Sequence, residues 1–101
     1  MKVFSALLFG LMVQLTFAQE REISGNVTDE NGMPLIGVNI IIENSTTGTQ
    51  TDFDGNYSIT ASEGDVLNFS FIGFATEQRT VRDNSVINVQ MSSDSSLEEI
   101  V

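Results

Sequence analysis

The chain has no cysteine, no histidine and no tryptophan, and its only lysine is Lys2. Without cysteine it cannot form the disulfides that many small exported domains use. The absence of histidine and cysteine also removes the commonest general base, the thiol nucleophile and the usual zinc ligands. Serines are plentiful, but no base is present to activate one. Paired carboxylates remain, yet the acidic residues fall mostly in predicted turns, so we predict no enzymatic activity, no cofactor and no metal.

Positive charge is scarce: four Lys and Arg residues stand against fourteen Asp and Glu residues, which gives a formal net charge of −10. An acidic surface repels phosphate backbones and anionic lipid headgroups. The composition therefore argues against a nucleic-acid partner and against binding to a membrane surface. We interpret the charge as a source of solubility rather than as a sign of a cationic partner.

The one long apolar run lies at the N-terminus, from Val3 to Val13, and Lys2 precedes it. Thr16-Phe17-Ala18 then supplies small residues at the −3 and −1 positions of a signal-peptidase site. A transmembrane anchor is the alternative, but the run is shorter than the ~20 apolar residues that a span needs. The sequence predicts a signal peptide over 1–18, cleaved after Ala18, and an exported mature chain.

Short apolar alternations separated by turn residues fill the rest of the chain, and no stretch has a convincing 3.6-residue period. They predict seven strands, over residues 23–28, 38–43, 49–52, 57–61, 66–72, 74–81 and 87–91. Strands of this length at turn spacings of ~8–12 residues are typical of a β-sandwich. Residues 92–96 are polar and predict a linker.

Glycine, proline and aspartate punctuate these strands, and we assign them backbone roles rather than ligand contacts. Pro34 lacks an N–H and is expected at a strand entry or edge. Asp52-x-Asp54-Gly55-Asn56 also resembles part of a calcium loop whose later acid would be Glu63, but a tight turn is the favoured interpretation. The predicted structural residues are Gly25, Gly32, Pro34, Gly37, Gly48, Asp52, Gly55 and Gly73.

Two further features concern the surface of the predicted sandwich. Four N-x-S/T triplets begin at Asn26, Asn44, Asn56 and Asn68, and the abundance of Asn, Ser and Thr accounts for them. The edges of a small sandwich could pair with an added strand. Alternatively Pro34, Glu43, Glu77 and Arg79 blunt those edges, and the sequence does not choose between the two.

The residues Gly25-x-Val27-x-Asp29-x-x-Gly32-x-Pro34-Leu35-x-Gly37-Val38 resemble the opening of the carboxypeptidase-regulatory-like domain. The match continues through Gly48-Thr49-x-Thr51-Asp52-x-x-Gly55-x-Tyr57 and Ser70-Phe71-Ile72-Gly73-Phe74. It covers roughly residues 23–91. The resemblance implies an all-β, seven-stranded sandwich of the transthyretin-like (prealbumin-like) type, in agreement with the strand count.

Domains of this family stand at the N-terminus of SusC/RagA-type TonB-dependent receptors of the Bacteroidetes, between the signal peptide and a TonB box. Leu97-Glu98-Glu99-Ile100-Val101 resembles the start of such a box. The resemblance implies a periplasmic location at the outer membrane and partners that belong to a receptor: a plug and barrel, TonB, and a surface lipoprotein that binds glycans or peptides. None of these residues is expected to touch the transported nutrient.

Two hypotheses about the function remain open. In the favoured one the chain is a fragment of such a receptor, because a TonB box works by strand addition and here only Ile100 and Val101 of its apolar run are present. In the other the chain is a free-standing exported β-sandwich with a structural or adhesive role, and residues 97–101 are simply an acidic tail.

Overall fold

The computed structural model describes residues 20–94, which form seven β-strands in two sheets. The strands are β1 Glu20–Thr28, β2 Asn39–Ile42, β3 Gly48–Gln50, β4 Asn56–Ser62, β5 Val66–Ser70, β6 Glu77–Thr80 and β7 Val89–Gln90. This confirms the predicted all-β, seven-stranded sandwich. Within residues 20–94 no helix is long and apolar enough to cross a membrane.

Pairing in both sheets joins strands that are distant in sequence. One sheet has three strands in the order β4-β1-β7, and the other has four in the order β3-β2-β5-β6. Strand β1 pairs antiparallel with β4 along seven residues, and parallel with β7 at Val27–Val89 and Thr28–Gln90. Strand β1 is therefore the central strand of the smaller sheet.

The core consists of the inward faces that the alternation predicted. In β4 the side chains of Tyr57, Ile59 and Ala61 are buried, while those of Ser58 and Thr60 are exposed. Phe69 of β5 is fully buried and meets the Tyr57 ring edge-on at a centroid distance of 5.5 Å. Fully burying a side chain of this size contributes roughly 1.5–3 kcal/mol. The buried apolar set is Ile23, Val27, Val38, Ile40, Ile42, Tyr57, Ile59, Ala61, Leu67, Phe69, Val81, Ile87, Val89 and Met91.

The predicted strand bounds need correction at several ends. The strand predicted over 74–81 is shorter, because Phe74 forms an isolated bridge with Ser93 and only Glu77–Thr80 pair with β5. The strand predicted over 66–72 ends at Ser70, and Ile72 and Gly73 form a turn. Strand β1 begins before Ile23, because Glu20 still pairs with Ser62 of β4.

The residues that could blunt the sheet edges lie in different places. Glu77 and Arg79 do lie on an edge strand, β6, where their side chains form a salt bridge of 3.0 Å. Glu43, in contrast, directly follows β2, which lies between β3 and β5. Its carboxylate accepts a hydrogen bond of 3.3 Å from Gln78 Nε2 of β6. Glu43 therefore lies across the sheet rather than at its edge.

Candidate functional site: the end where the chain exits

The strand directions bring four segments to one end of the sandwich, and we call this the exit end. Strands β1 and β7 both run toward it, β4 starts from it, and β2 starts where β3 and β5 finish. The exit end therefore comprises residues 29–38, 51–55, 71–76 and 91–94. The far end comprises residues 43–47, 63–65 and 81–88, together with the start of β1.

Two loops of the exit end contain the same turn. In the first, Asp29 Oδ1 accepts hydrogen bonds of 2.9 Å from the backbone N–H groups of both Asn31 and Met33, and Gly32 N–H donates to Asp29 O at 3.0 Å. The sequence D-x-x-G produces this turn because Asp bonds to the backbone ahead of it and Gly adopts a positive φ; φ is 84° at Gly32.

The second turn repeats every one of these contacts. Asp52 Oδ1 accepts from Asp54 N–H at 3.0 Å and from Asn56 N–H at 2.9 Å, and Gly55 N–H donates to Asp52 O at 2.9 Å. The Asp52 carboxylate is thus used as a turn cap. Among residues 20–94 no cluster of three acidic side chains is placed to hold a metal ion.

A close backbone contact, besides its φ of 80°, explains why residue 55 is glycine. A Cβ built on it would lie 2.6 Å from Val27 O and 3.1 Å from Pro34 Cβ. Pro34 forms an isolated antiparallel β-bridge with Thr28 and belongs to none of the seven strands. Its missing N–H therefore costs no hydrogen bond within a strand pairing. The second turn therefore packs directly against the end of β1 and against Pro34 of the first loop.

The other predicted structural residues divide between loops and strands. Gly37 and Gly73 have positive φ in the exit-end loops. Gly25 and Gly48 lie inside β1 and at the start of β3, so the structure places these two in strands rather than in turns. The predicted TonB-box residues, Leu97 to Val101, and the predicted signal peptide, 1–18, lie outside the described residues.

Thr51 is a structural residue that the sequence analysis missed. It is the buried polar residue of the core, and its hydroxyl donates to Leu35 O at 2.6 Å and accepts from Val38 N–H at 2.9 Å. Gly37 N–H also donates to Thr51 O at 3.1 Å. The sequence signal for Thr51 was its position in the predicted strand 49–52. It comes two residues after Thr49 and so falls on the same, inward face.

The last described residues are held by both neighbouring loops. Met91 N–H donates to Thr28 O at 2.8 Å, Ala75 N–H donates to Ser92 O at 2.9 Å, and Asp94 N–H donates to Gly73 O at 3.0 Å. The linker predicted from residue 92 thus begins with three residues that belong to the hydrogen-bonded sandwich. The linker was predicted from the polar side chains of residues 92–96. Polar side chains are equally compatible with a segment that is held by hydrogen bonds of its backbone.

Glu30 adds a charged contact to this segment. Its carboxylate accepts from Ser93 N–H at 3.1 Å and from Ser93 Oγ at 3.4 Å. The hydrogen bond from the Ser93 backbone holds the pKa of Glu30 below its ordinary value of 4.5. At neutral pH the side chain is therefore ionised and accepts the two hydrogen bonds from Ser93 as a carboxylate.

These features define a two-sheet β-sandwich module with two matching D-x-x-G turns at its exit end. The chain belongs to the CarboxypepD_reg-like domain family, whose model matches residues 23–101. A solved cohesin–X-dockerin complex from Acetivibrio cellulolyticus has a similar fold, with a TM-score of 0.56 and 16% identity over 69% of this chain and 56% of that one.

The curated relatives are receptors. TonB-dependent receptor SusC of Bacteroides thetaiotaomicron is 38% identical over 99% of this chain, and receptors P26 and P3 of Formosa agariphila are 48% and 44% identical over 78% and 94% of it. The chain spans 8–10% of the length of these relatives. It is therefore homologous to one small part of a TonB-dependent receptor.

Proposed function

We propose that this chain is the N-terminal periplasmic extension of a SusC/RagA-type outer-membrane nutrient transporter, and that it acts as a non-catalytic positioning module. The observation that carries the proposal is the similarity to TonB-dependent receptors along nearly the whole chain. In this proposal residues 1–18 direct export, and a plug and barrel follow the sandwich.

The geometry of the exit end supports a positioning role. Hydrogen bonds from Met91, Ser93 and Asp94 hold the chain against the sandwich until shortly before Leu97. A fully extended chain covers at most ~3.6 Å per residue, so Leu97 starts within roughly 11 Å of Asp94. The sandwich would present the TonB-box segment at a set place for strand addition to TonB.

Binding to the periplasmic C-terminal domain of TonB tests this proposal. Residues 19–101 are compared with the same chain extended through the residues that follow Val101 in its gene. We expect only the extended form to bind, with binding lost when the apolar residues from Leu97 onward are replaced by serine. If neither form binds, the free-standing exported module becomes the better hypothesis.

A second experiment separates positioning from simple tethering. Four residues, Gly-Ser-Gly-Ser, are inserted after Asp94 in the receptor, and the control carries the same insertion after Thr46, in an exposed loop at the far end. Loop insertions cost little stability. We expect the first insertion to reduce nutrient uptake and the second to leave it unchanged; equal uptake by both variants would contradict a positioning role.

A further inference from the structure

Large apolar side chains are exposed mainly at the exit end. Of the six that are exposed among residues 20–94, four lie in its loops: Met33, Ile36, Phe53 and Ile72. Phe53 and Ile72 are 83% and 90% exposed. Single exposed apolar residues are common on soluble proteins, whereas several on one surface mark an interaction site.

The loops that carry these side chains are bonded to one another. Gly37 N–H, next to Ile36, donates to Thr51 O, two residues before Phe53. A Cβ built on Gly37 would lie 3.9 Å from the ring of Phe71, the residue before Ile72. The exposed apolar residues therefore lie on neighbouring loops of one end of the sandwich, and we call them together the apolar exit surface: Met33, Ile36, Phe53 and Ile72.

The folding of the turn does not explain why residue 53 is aromatic. The two D-x-x-G turns have the same hydrogen bonds, and the residue that corresponds to Phe53 in the first turn is Glu30. A charged residue thus fits this position of the turn. At 83% exposure Phe53 buries almost none of its apolar surface within the sandwich. A contact outside the described sandwich would remove that surface from water.

Charge is distributed unevenly around this surface. The exit-end segments contain five acidic residues and no Lys or Arg: Asp29, Glu30, Asp52, Asp54 and Asp94. The three basic residues of the described chain lie elsewhere. Arg21 donates to the backbone of Arg82 and Asn84 at the far end, and Arg79 pairs with Glu77. A partner of the apolar exit surface would gain most from a rim of Lys and Arg.

We propose that the apolar exit surface docks on the domain that follows it in the same polypeptide, at an apolar site rimmed by basic residues. The inference rests on the proposed function, in which a receptor plug follows residue 101. Asp94 is bonded to Gly73, immediately beside Ile72, so the following domain is tethered at this very surface. Tethering raises the effective concentration of the following domain, to the mM range for short linkers, so a small contact suffices.

The scarcity of cysteine and lysine allows a direct test in the full receptor. The chain has no cysteine, and its only lysine, Lys2, lies in the predicted signal peptide. In a receptor whose later cysteines are replaced, Phe53→Cys and Ile72→Cys are each labelled in cells with a maleimide–succinimide crosslinker. Apart from the α-amino group that cleavage after Ala18 exposes on residue 19, the label then reports lysines of a neighbouring domain or protein, which mass spectrometry identifies.

The matched control is Ser85→Cys, an exposed position at the far end. We expect crosslinks from residues 53 and 72 to lysines of the same polypeptide, at a yield at least about tenfold above that from residue 85, as the tether predicts. Asp54→Arg should lower the yield from residue 72, and Asp83→Arg at the far end should not. Equal yields from both ends, or crosslinks only to a separate protein, would overturn the proposed docking.

The size of the labelled polypeptide distinguishes failure of this inference from failure of the proposed function. A receptor-sized band in the outer-membrane fraction with uniform crosslinking overturns the docking alone. A labelled exported chain of no more than 11.0 kDa would overturn both, because no following domain exists in it.

Discussion

Gly25 occupies a position in β1 where the backbone of a neighbouring segment comes closest. A Cβ built on it would lie 1.9 Å from Ile87 O and 2.8 Å from the Tyr57 ring. We expect Gly25→Ala to lower the free energy of unfolding by about 3 kcal/mol, the upper part of the range for overpacking, as measured by urea denaturation. Ser24→Ala, at the exposed neighbouring position, should change it by less than about 0.5 kcal/mol. Equal midpoints for the two variants would show that this contact is not tight.

Tyr57 makes the fold sensitive to alkaline pH. Its hydroxyl donates to Ile87 O at 2.7 Å, and burial raises its pKa from 10.0 to about 12. Because the pKa is higher in the folded state, the stabilisation is complete below pH 10 and is lost as pH rises toward 12. The chain has one tyrosine, so tyrosinate absorbance reports this residue alone.

The expected absorbance midpoint lies well above 10.0 in the folded chain and near 10.0 in urea. Tyr57→Phe should cost about 1 kcal/mol at neutral pH through the lost hydrogen bond. It should also remove the loss of stability between pH 10 and 12. A folded-state midpoint at the ordinary value would contradict the burial of this hydroxyl.

At the scale of elements, the sequence predicted the strands better than their ends. Alternation located all seven strands because one face of each is more covered than the other, most clearly in β4 with Tyr57, Ile59 and Ala61 inside. It overextended the strand at 74–81, because residues on both sides of a strand end can keep the period after pairing has stopped. The pairing of β1 with β7 and the hydrogen bond from Ser93 to Glu30 join residues more than sixty positions apart, and no local pattern encodes them.

The exit segment has a titratable contact, from Ser93 to Glu30, besides its backbone hydrogen bonds to Thr28, Gly73 and Ala75. Since hydrogen bonding from Ser93 lowers the pKa of Glu30, the contact is present above the ordinary value of 4.5 and is lost as pH falls through the lowered pKa. We expect the Ser93 amide chemical shift to titrate with a midpoint below 4.5. Glu30→Ala should abolish this titration and shift the amide at neutral pH, whereas Glu63→Ala should do neither. If the Ser93 amide chemical shift did not respond to Glu30→Ala, the segment would be held by backbone hydrogen bonds alone.

At the scale of the whole molecule, the acidic residues lie at both ends, whereas the basic residues are absent from the exit end. The chain has a formal net charge of −10, and five of its acids lie at the exit end without a basic residue. Asp83, by contrast, follows Arg82 at the far end, where Arg21 also lies. Like charges separated by less than the Debye length of ~30 Å at 0.01 M salt repel one another. Added salt should therefore raise the melting temperature of the domain.

Asp54→Asn tests whether that repulsion is concentrated at the exit end. The substitution copies the first turn, where Asn31 occupies the corresponding position with the same hydrogen bonds, so the turn should fold unchanged. We expect Asp54→Asn to raise the melting temperature at 0.01 M salt and to reduce its dependence on salt. Asp83→Asn, which removes an acid from beside two arginines, should leave the melting temperature unchanged or lower it. If both substitutions raised the melting temperature equally, the repulsion would depend on net charge alone. The acidic residues of the exit end would then repel one another no more strongly than those elsewhere on the surface.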